Sequence, residues 1–186
     1  MKQVLSVKET ILISAFTALT VIGGYISIPL GPVPIVLSNF MILLSGVLLG
    51  KSKGSAVAFT YLLLGLLGLP VFAGGTSGFA HLAGPTGGYL LAYLPAAFIA
   101  GAISNHGKPS IIKNFTALTT GALIIYFMGV PWLKISLGLE WEKALFAGML
   151  PFLPGDLIKV SAASLIAYKM RYLIDNSPIS EKTADK

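Results

Sequence analysis

The sequence predicts an all-α integral membrane protein, a bundle of six transmembrane helices with both termini in the cytoplasm. Three observations predict it. Of 186 residues, 55% are hydrophobic and only 11% charged, whereas a soluble domain carries about 25% charged residues. Mean hydropathy is +0.83, so soluble packing would leave too little polar surface. The apolar residues also come in long runs, which satisfy their backbone in lipid as helices rather than as alternating barrel strands. Finally, basic residues gather in alternate connections, the bias that sets membrane orientation.

A span needs about 20 mostly apolar residues, and six windows supply them in order. The first is 10–28. The text before it, from Met1 to Thr10, has no small-residue cleavage site after a short apolar core, so it reads as part of a retained span rather than a signal peptide. Window 34–50 is short and borrows residues from its flanks, and 55–73, 86–104 and 113–130 follow. Aromatic and proline-rich text from Pro131 to Trp141 predicts an extramembrane or interfacial loop, with a short helical piece after it. Window 155–173 completes the set, and the polar tail 174–186 is expected to be disordered. With no internal repeat, the whole of 1–186 is expected to form one domain.

Lys2 and Lys8 precede the first span, Lys51 and Lys53 separate the second from the third, Lys108 and Lys113 flank the fourth and fifth, and Lys169 and Arg171 close the sixth. On the other side, the loops at 29–33 and 73–85 contain no Lys, Arg, Asp or Glu, and a third carries Lys134, Glu140, Glu142 and Lys143. Both termini are therefore expected inside. The net charge of +6 is topology, not a nucleic-acid footprint, which would cluster basic residues on one face with aromatics between them.

Several motifs invite chemistry and do not support it. Ser45-Gly-Val-Leu-Leu-Gly-Lys-Ser52 resembles a phosphate-binding loop, but the first glycine is Ser45 and the segment ends a membrane helix. Gly50 as terminator and Lys51 as anchor explain it, so ATP hydrolysis would belong to another subunit. The chain has no cysteine, which excludes disulfides and thiol-ligated metals. His81 and His106 have no carboxylate at ligand spacing, so no metal site is expected. No nucleophile set is present, and serines in membrane helices mostly bond backbones or neighbouring helices. The chain is not expected to be an enzyme, and no cofactor is expected.

What remains is a pair of opposite charges. Asp156 and Lys159 stand at the outer end of the sixth span, in Pro151-Phe-Leu-Pro-Gly-Asp-Leu-Ile-Lys-Val160. Ionisable groups at membrane depth are costly and face a cavity or a partner. Their i, i+3 spacing puts both on one helical face. Asp156 could cap the helix and Lys159 could snorkel, or the two could form a structural bridge. In the functional reading Asp156 accepts hydrogen bonds from ligand N–H groups, and Lys159 donates to a ligand carbonyl or carboxylate. The glycine-rich stretches Gly74-Gly-Thr-Ser-Gly78 and Gly84-Pro-Thr-Gly-Gly88 lie on the same outer side. They either turn the chain or wall a binding cavity with backbone groups and Thr86. On the first helix Thr10, Ser14 and Ala18 recur at i, i+4 with Ala15 beside them. Such small residues pack within the chain or dock another membrane subunit.

Read together, four segments resemble the BioY family, the biotin-specific substrate-binding components of energy-coupling-factor transporters. They are Gly31-Pro-Val-Pro-Ile35, Tyr61-Leu-Leu-Leu-Gly-Leu-Leu-Gly-Leu-Pro-Val-Phe72, Gly84-Pro-Thr-Gly-Gly-Tyr-Leu90 and Pro151-Phe-Leu-Pro-Gly-Asp-Leu-Ile-Lys159. One departure follows Pro34-Ile35, where the family commonly reads Thr-Leu-Gln-Thr and this chain has Val36-Leu-Ser-Asn39, with Asn39 as the substitute polar group. The resemblance implies a plasma-membrane protein that captures biotin from outside and works with a transmembrane coupling subunit and two ATPase subunits. It further implies a site in which Asp156 takes the ureido N–H groups, Lys159 the carbonyl or carboxylate, and Phe72, Phe79 and Tyr89 the apolar rings. Val33, Asn39, Thr86 and Gly87 complete the expected site, with Ser14, Ala15 and Ala18 as the docking face. A substrate-binding component for thiamin or riboflavin, or a small intramembrane enzyme, are the rival readings. The enzyme would need more acidic or histidine residues at depth than Asp156, with Glu9 at a span edge, provides.

Overall fold

The computed structural model describes residues 6–104 and 109–175. Lys2, His106, Lys108 and the tail from 176 onward lie outside the described residues. The first helix, α1 (Val7–Tyr25), starts in a reciprocal cap. Ser6 Oγ accepts from the Glu9 amide at 3.3 Å, and Glu9 Oε2 accepts from the Ser6 amide at 3.0 Å. Glu9 also meets Lys53 at 2.8 Å, fastening the start of α1 to the helix that carries Lys53. A two-residue antiparallel hairpin follows, β1 (Ser27–Ile28) and β2 (Ile35–Val36). The helices α2 (Ser38–Leu49) and α3 (Lys51–Leu66) come next, joined at Gly50, whose φ of +86° suits glycine.

A 3-10 turn at Ala73–Gly75 and the single turn α4 (Phe79–Ala83) lead to α5 (Gly87–Ser104). Then come α6 (Ile111–Leu137), the short α7 (Trp141–Gly148) and α8 (Leu153–Asp175). Each of the six apolar windows thus overlaps a helix, and two of the helices depart most from the expected extent. The third stops at Leu66 instead of 73, because Gly68 sits at φ +93° and Pro70 follows. The expected loop after Pro131 is instead the last turns of α6, which runs without interruption to Leu137 and ends at left-handed Gly138. The proline removes one backbone donor, but Leu133 beyond it is fully buried and Trp132 Nε1 donates to the Gly84 carbonyl at 2.9 Å. Those contacts hold the helix past its proline. At about 1.5 Å per residue a helix of this length outreaches the ~30 Å hydrocarbon layer.

By length and composition α1, α5 and α6 can each cross a membrane, and α7 with α8 qualifies as a pair bent by 44°. The shorter α2 and α3 do not reach 18 residues. They sit against α5 and against each other through glycines. A Cβ on Gly46 would stand 2.4 Å from the Ala97 carbonyl oxygen, one on Gly54 2.5 Å from the Gly46 Cα, and one on Gly101 2.5 Å from the Lys51 amide nitrogen. In lipid, such close approach of small residues replaces the hydrophobic drive that water supplies. At the end away from the hairpin, Arg171 donates to the Ser104 carbonyl at 2.7 Å and the Val47 carbonyl at 2.5 Å. It thereby ties α8 to the last turns of α5 and α2.

Gly46 gives a sign test of this packing. On an exposed helix, replacing glycine by alanine stabilises by roughly 0.5–1 kcal/mol. Gly46→Ala is expected to destabilise instead, by about 1–3 kcal/mol, the range for overpacking. Thermal unfolding in detergent measures it, and a rise in the midpoint would contradict the packing described.

Candidate ligand-binding site

Asp156 lies in the first turn of α8, with its amide already bonded to the Phe152 carbonyl at 2.8 Å. Its side chain does not cap the helix. Oδ2 accepts from the Tyr126 hydroxyl on α6, and Oδ1 meets Lys159 Nζ at 3.1 Å. Lys159 does not snorkel outward either. Its ammonium also donates to the Val36 carbonyl at 3.0 Å and to Asn39 Oδ1 at 3.3 Å.

Counting donors and acceptors separates the roles of the two charges. An ammonium has three N–H donors, and all three of Lys159 have acceptors. A carboxylate has about four acceptor positions, of which two are filled. Asp156 therefore retains capacity for two incoming N–H donors, while Lys159 orients it and bridges α8 to β2 and α2.

The pair opens onto a cavity at the hairpin end of the bundle. The hairpin side contributes Val33, Pro34, Ile35 and Val36, and the start of α2 contributes Ser38 and Asn39. Tyr61 comes from α3, Tyr89, Leu90 and Tyr93 from α5, Ala122, Ile125 and Tyr126 from α6, and Phe152 from the approach to α8. Ala73, His81 and Thr86 close one side. Most of this wall is apolar or aromatic, with polar atoms concentrated at few points, the usual make-up of a small-molecule site.

Three of the four tyrosine hydroxyls in the wall have partners, Tyr126 on Asp156 among them, whereas the buried Tyr61 hydroxyl has none. Tyr89 donates to the Gly148 carbonyl at 2.8 Å, and Tyr93 pairs with Ser38 Oγ at 3.0 Å. The Tyr89 ring lies so close over Gly129 that a Cβ there would stand 2.3 Å from it, and Gly148 leaves room for the hydroxyl in the same way. Two glycines of different elements thus fix one aromatic wall. His81 Nε2 sits 3.4 Å from Thr76 Oγ1 and 3.3 Å from Thr86 Oγ1. Its ring stacks on Phe72 at 5.4 Å. Burial holds the His81 imidazole below its ordinary pKa, so it is neutral at neutral pH. Among the described residues no group of His, Asp or Glu side chains comes together that could hold a metal ion.

Comparison with known proteins decides the relationship. The family model described as the BioY family matches residues 1–176. The probable biotin transporter BioY of Pyrococcus horikoshii is 42% identical over 164 residues, covering 88% of this chain and 96% of that protein. The biotin transporter BioY of Thermotoga maritima is 42% identical over 166 residues, covering 89% and 97%. This chain belongs to the BioY family. Its fold is also similar to a crystal structure of the S-component for biotin from an ECF-type ABC transporter. That likeness has a TM-score of 0.82 at 32% identity, over 89% of this chain and 92% of that one.

Against this BioY frame, the structure brings Asp156, Lys159, Tyr89, Thr86, Val33 and Asn39 to one cavity. Three other expected residues stand outside its lining. Phe72 is fully buried behind the wall, filling the space that Gly65 leaves, where a Cβ would sit 2.0 Å from its ring. Phe79 is 73% exposed at the start of α4. At Gly87 a Cβ would stand 1.7 Å from the Leu82 carbonyl oxygen, so a glycine is needed where the loop closes on α5. Sequence reasoning missed Tyr61, Tyr93, Tyr126, Ser38, His81 and Phe152. A signal for one of them exists: Tyr93 lies i, i+4 from the expected Tyr89 on one helix, and a tyrosine inside an apolar span needs a partner for its hydroxyl. Thr10, Ser14, Ala15 and Ala18 are all exposed on α1, so this face is not used in packing within the chain.

Proposed function

We propose that this chain is the membrane-embedded capture subunit of a biotin uptake transporter. It binds biotin from outside and releases it inside when separate subunits drive it. The observation that carries this reading is the Asp156 carboxylate, which has two unfilled acceptor positions at an aromatic and aliphatic cavity. Biotin offers a ureido group with two N–H donors beside an apolar bicycle. Asp156 takes the N–H groups, Lys159 holds that carboxylate in place, and Tyr89, Tyr93 and Phe152 flank the bicycle. Thr86, Val33 and Asn39 border the ligand from the lid side. The BioY relatives and the likeness to a biotin S-component support biotin over thiamin or riboflavin. They equally support a transporter component over an enzyme.

The finer organisation follows from charge placement. The chain crosses the plasma membrane six times as one domain, with both termini in the cytoplasm and the cavity facing out. The two loops without Lys, Arg, Asp or Glu contribute Val33, Ala73 and His81 to that cavity, which supports an outward mouth. A coupling membrane subunit docks on the exposed Ser14, Ala15 and Ala18 face of α1, and two cytoplasmic ATPase subunits supply the work. Biotin is cargo, and no cofactor is assigned.

Two substitutions test the site and the docking face separately. Asp156→Asn is expected to weaken biotin binding by at least about 1.5–3 kcal/mol, the scale of a hydrogen bond to a charged group, measured by calorimetry on purified protein. Unchanged affinity would remove Asp156 from the site. Ala18→Trp is expected to leave biotin affinity intact while abolishing co-purification with the coupling subunit. Survival of that complex would mean docking uses another face.

A further inference from the structure

The two oxygens of Asp156 are held from two directions. Lys159, one turn along α8, takes Oδ1 at 3.1 Å, and Tyr126, across on α6, donates to Oδ2. Tyr126 and Asp156 are both buried, 8% and 9% exposed. The terminal torsion of an aspartate is soft, with a broad range of carboxylate orientations. Lys159 alone leaves that rotation open, since a single contact to one oxygen is an axis and not a plane. A second donor on the other oxygen, from a different helix, fixes the plane. It also decides which acceptor positions remain for a ligand.

The placement of Tyr126 makes this hold firm. Tyr126 lines the cavity beside Ala122 and Ile125. It also borders an open apolar groove between α6 and α7, with Phe127, Val130 and Trp141. The residue thus stands between the cavity and the bundle's outer surface. Its hydroxyl hydrogen is committed to Asp156, so the hydroxyl does not donate to a ligand.

We propose that Tyr126 is a positioning residue for ligand capture, acting through Asp156. It holds the carboxylate so that the unfilled acceptor positions meet a pair of ligand N–H groups. This role rests on the biotin-binding reading. A site ordered before binding loses less freedom when the ligand arrives, so removing the hydroxyl should cost affinity only for ligands that use Asp156.

The test compares two ligands on wild-type protein and Tyr126→Phe in detergent, by calorimetry or competition. They are biotin and its analogue methylated on both ureido nitrogens. Tyr126→Phe is expected to weaken biotin at least tenfold and to change the analogue's weaker affinity less than twofold. Equal losses for both ligands would reduce Tyr126 to a packing residue, and a loss under twofold for biotin would remove the role altogether. If Tyr126→Phe does not fold, Tyr126→Gln is read by the same pair of ligands. Its shorter side chain cannot reach Oδ2 with the same geometry, so a loss confined to biotin is again expected and equal losses overturn the proposal. Absence of biotin binding by the wild-type chain would sink the ligand reading and this role with it. Binding by wild type with equal losses in the variant would sink the role of Tyr126 alone.

Discussion

Everything in the site depends on one bridge, Lys159 to Asp156. A lone ammonium or carboxylate in a low-dielectric bundle costs several kcal/mol in lost hydration, so each must be compensated. Here the compensation comes from three other parts of the chain: the Val36 carbonyl at the end of the hairpin, Asn39 at the start of α2, and the Tyr126 hydroxyl on α6. Two charges three residues apart therefore fix where α8 stands against three separate elements. The unequal count of donors and acceptors then leaves the carboxylate, and not the ammonium, open to a ligand.

The rest of the fold makes room for that bridge. Glycines let α2, α3 and α5 approach closely, which brings Tyr61, Ser38 and Tyr93 to one wall. Gly129 and Gly148 seat Tyr89, whose hydroxyl ends on the last turn of α7. Arg171 performs the corresponding service at the opposite end, joining α8 to the ends of α2 and α5. Close helix contact through small residues and fixed polar bridges at both ends give a scaffold in which an aromatic cavity keeps its shape.

How much of this was legible in the sequence follows from what kind of signal each feature leaves. Apolar runs locate helices well, because lipid demands them, and every window overlapped one. They locate ends poorly. Pro131 reads as a terminator only if its neighbours are unbound, and the burial of Leu133 and the Trp132 bond to Gly84 carry α6 past it. Asp156 and Lys159 stood out because charge is rare in such text. Tyr126 did not, since a tyrosine in an apolar run looks like any other aromatic until α8 places a carboxylate against it. Phe72 and Phe79, which the family resemblance assigns to the apolar rings, stand outside the cavity lining: Phe72 fills the space that Gly65 leaves and Phe79 is exposed at the start of α4. Asn39, a departure from the usual family text, proved to be part of the bridge itself.

If the cavity around Asp156 is a single preformed site for biotin, the unassisted chain binds the vitamin. Isothermal titration of biotin into the purified chain in detergent, without any coupling or ATPase subunit, tests it most directly. Saturable binding of one biotin per chain is expected, and excess thiamin or riboflavin should not compete it away. Absence of saturable binding, or displacement of biotin by either of those vitamins, would contradict it.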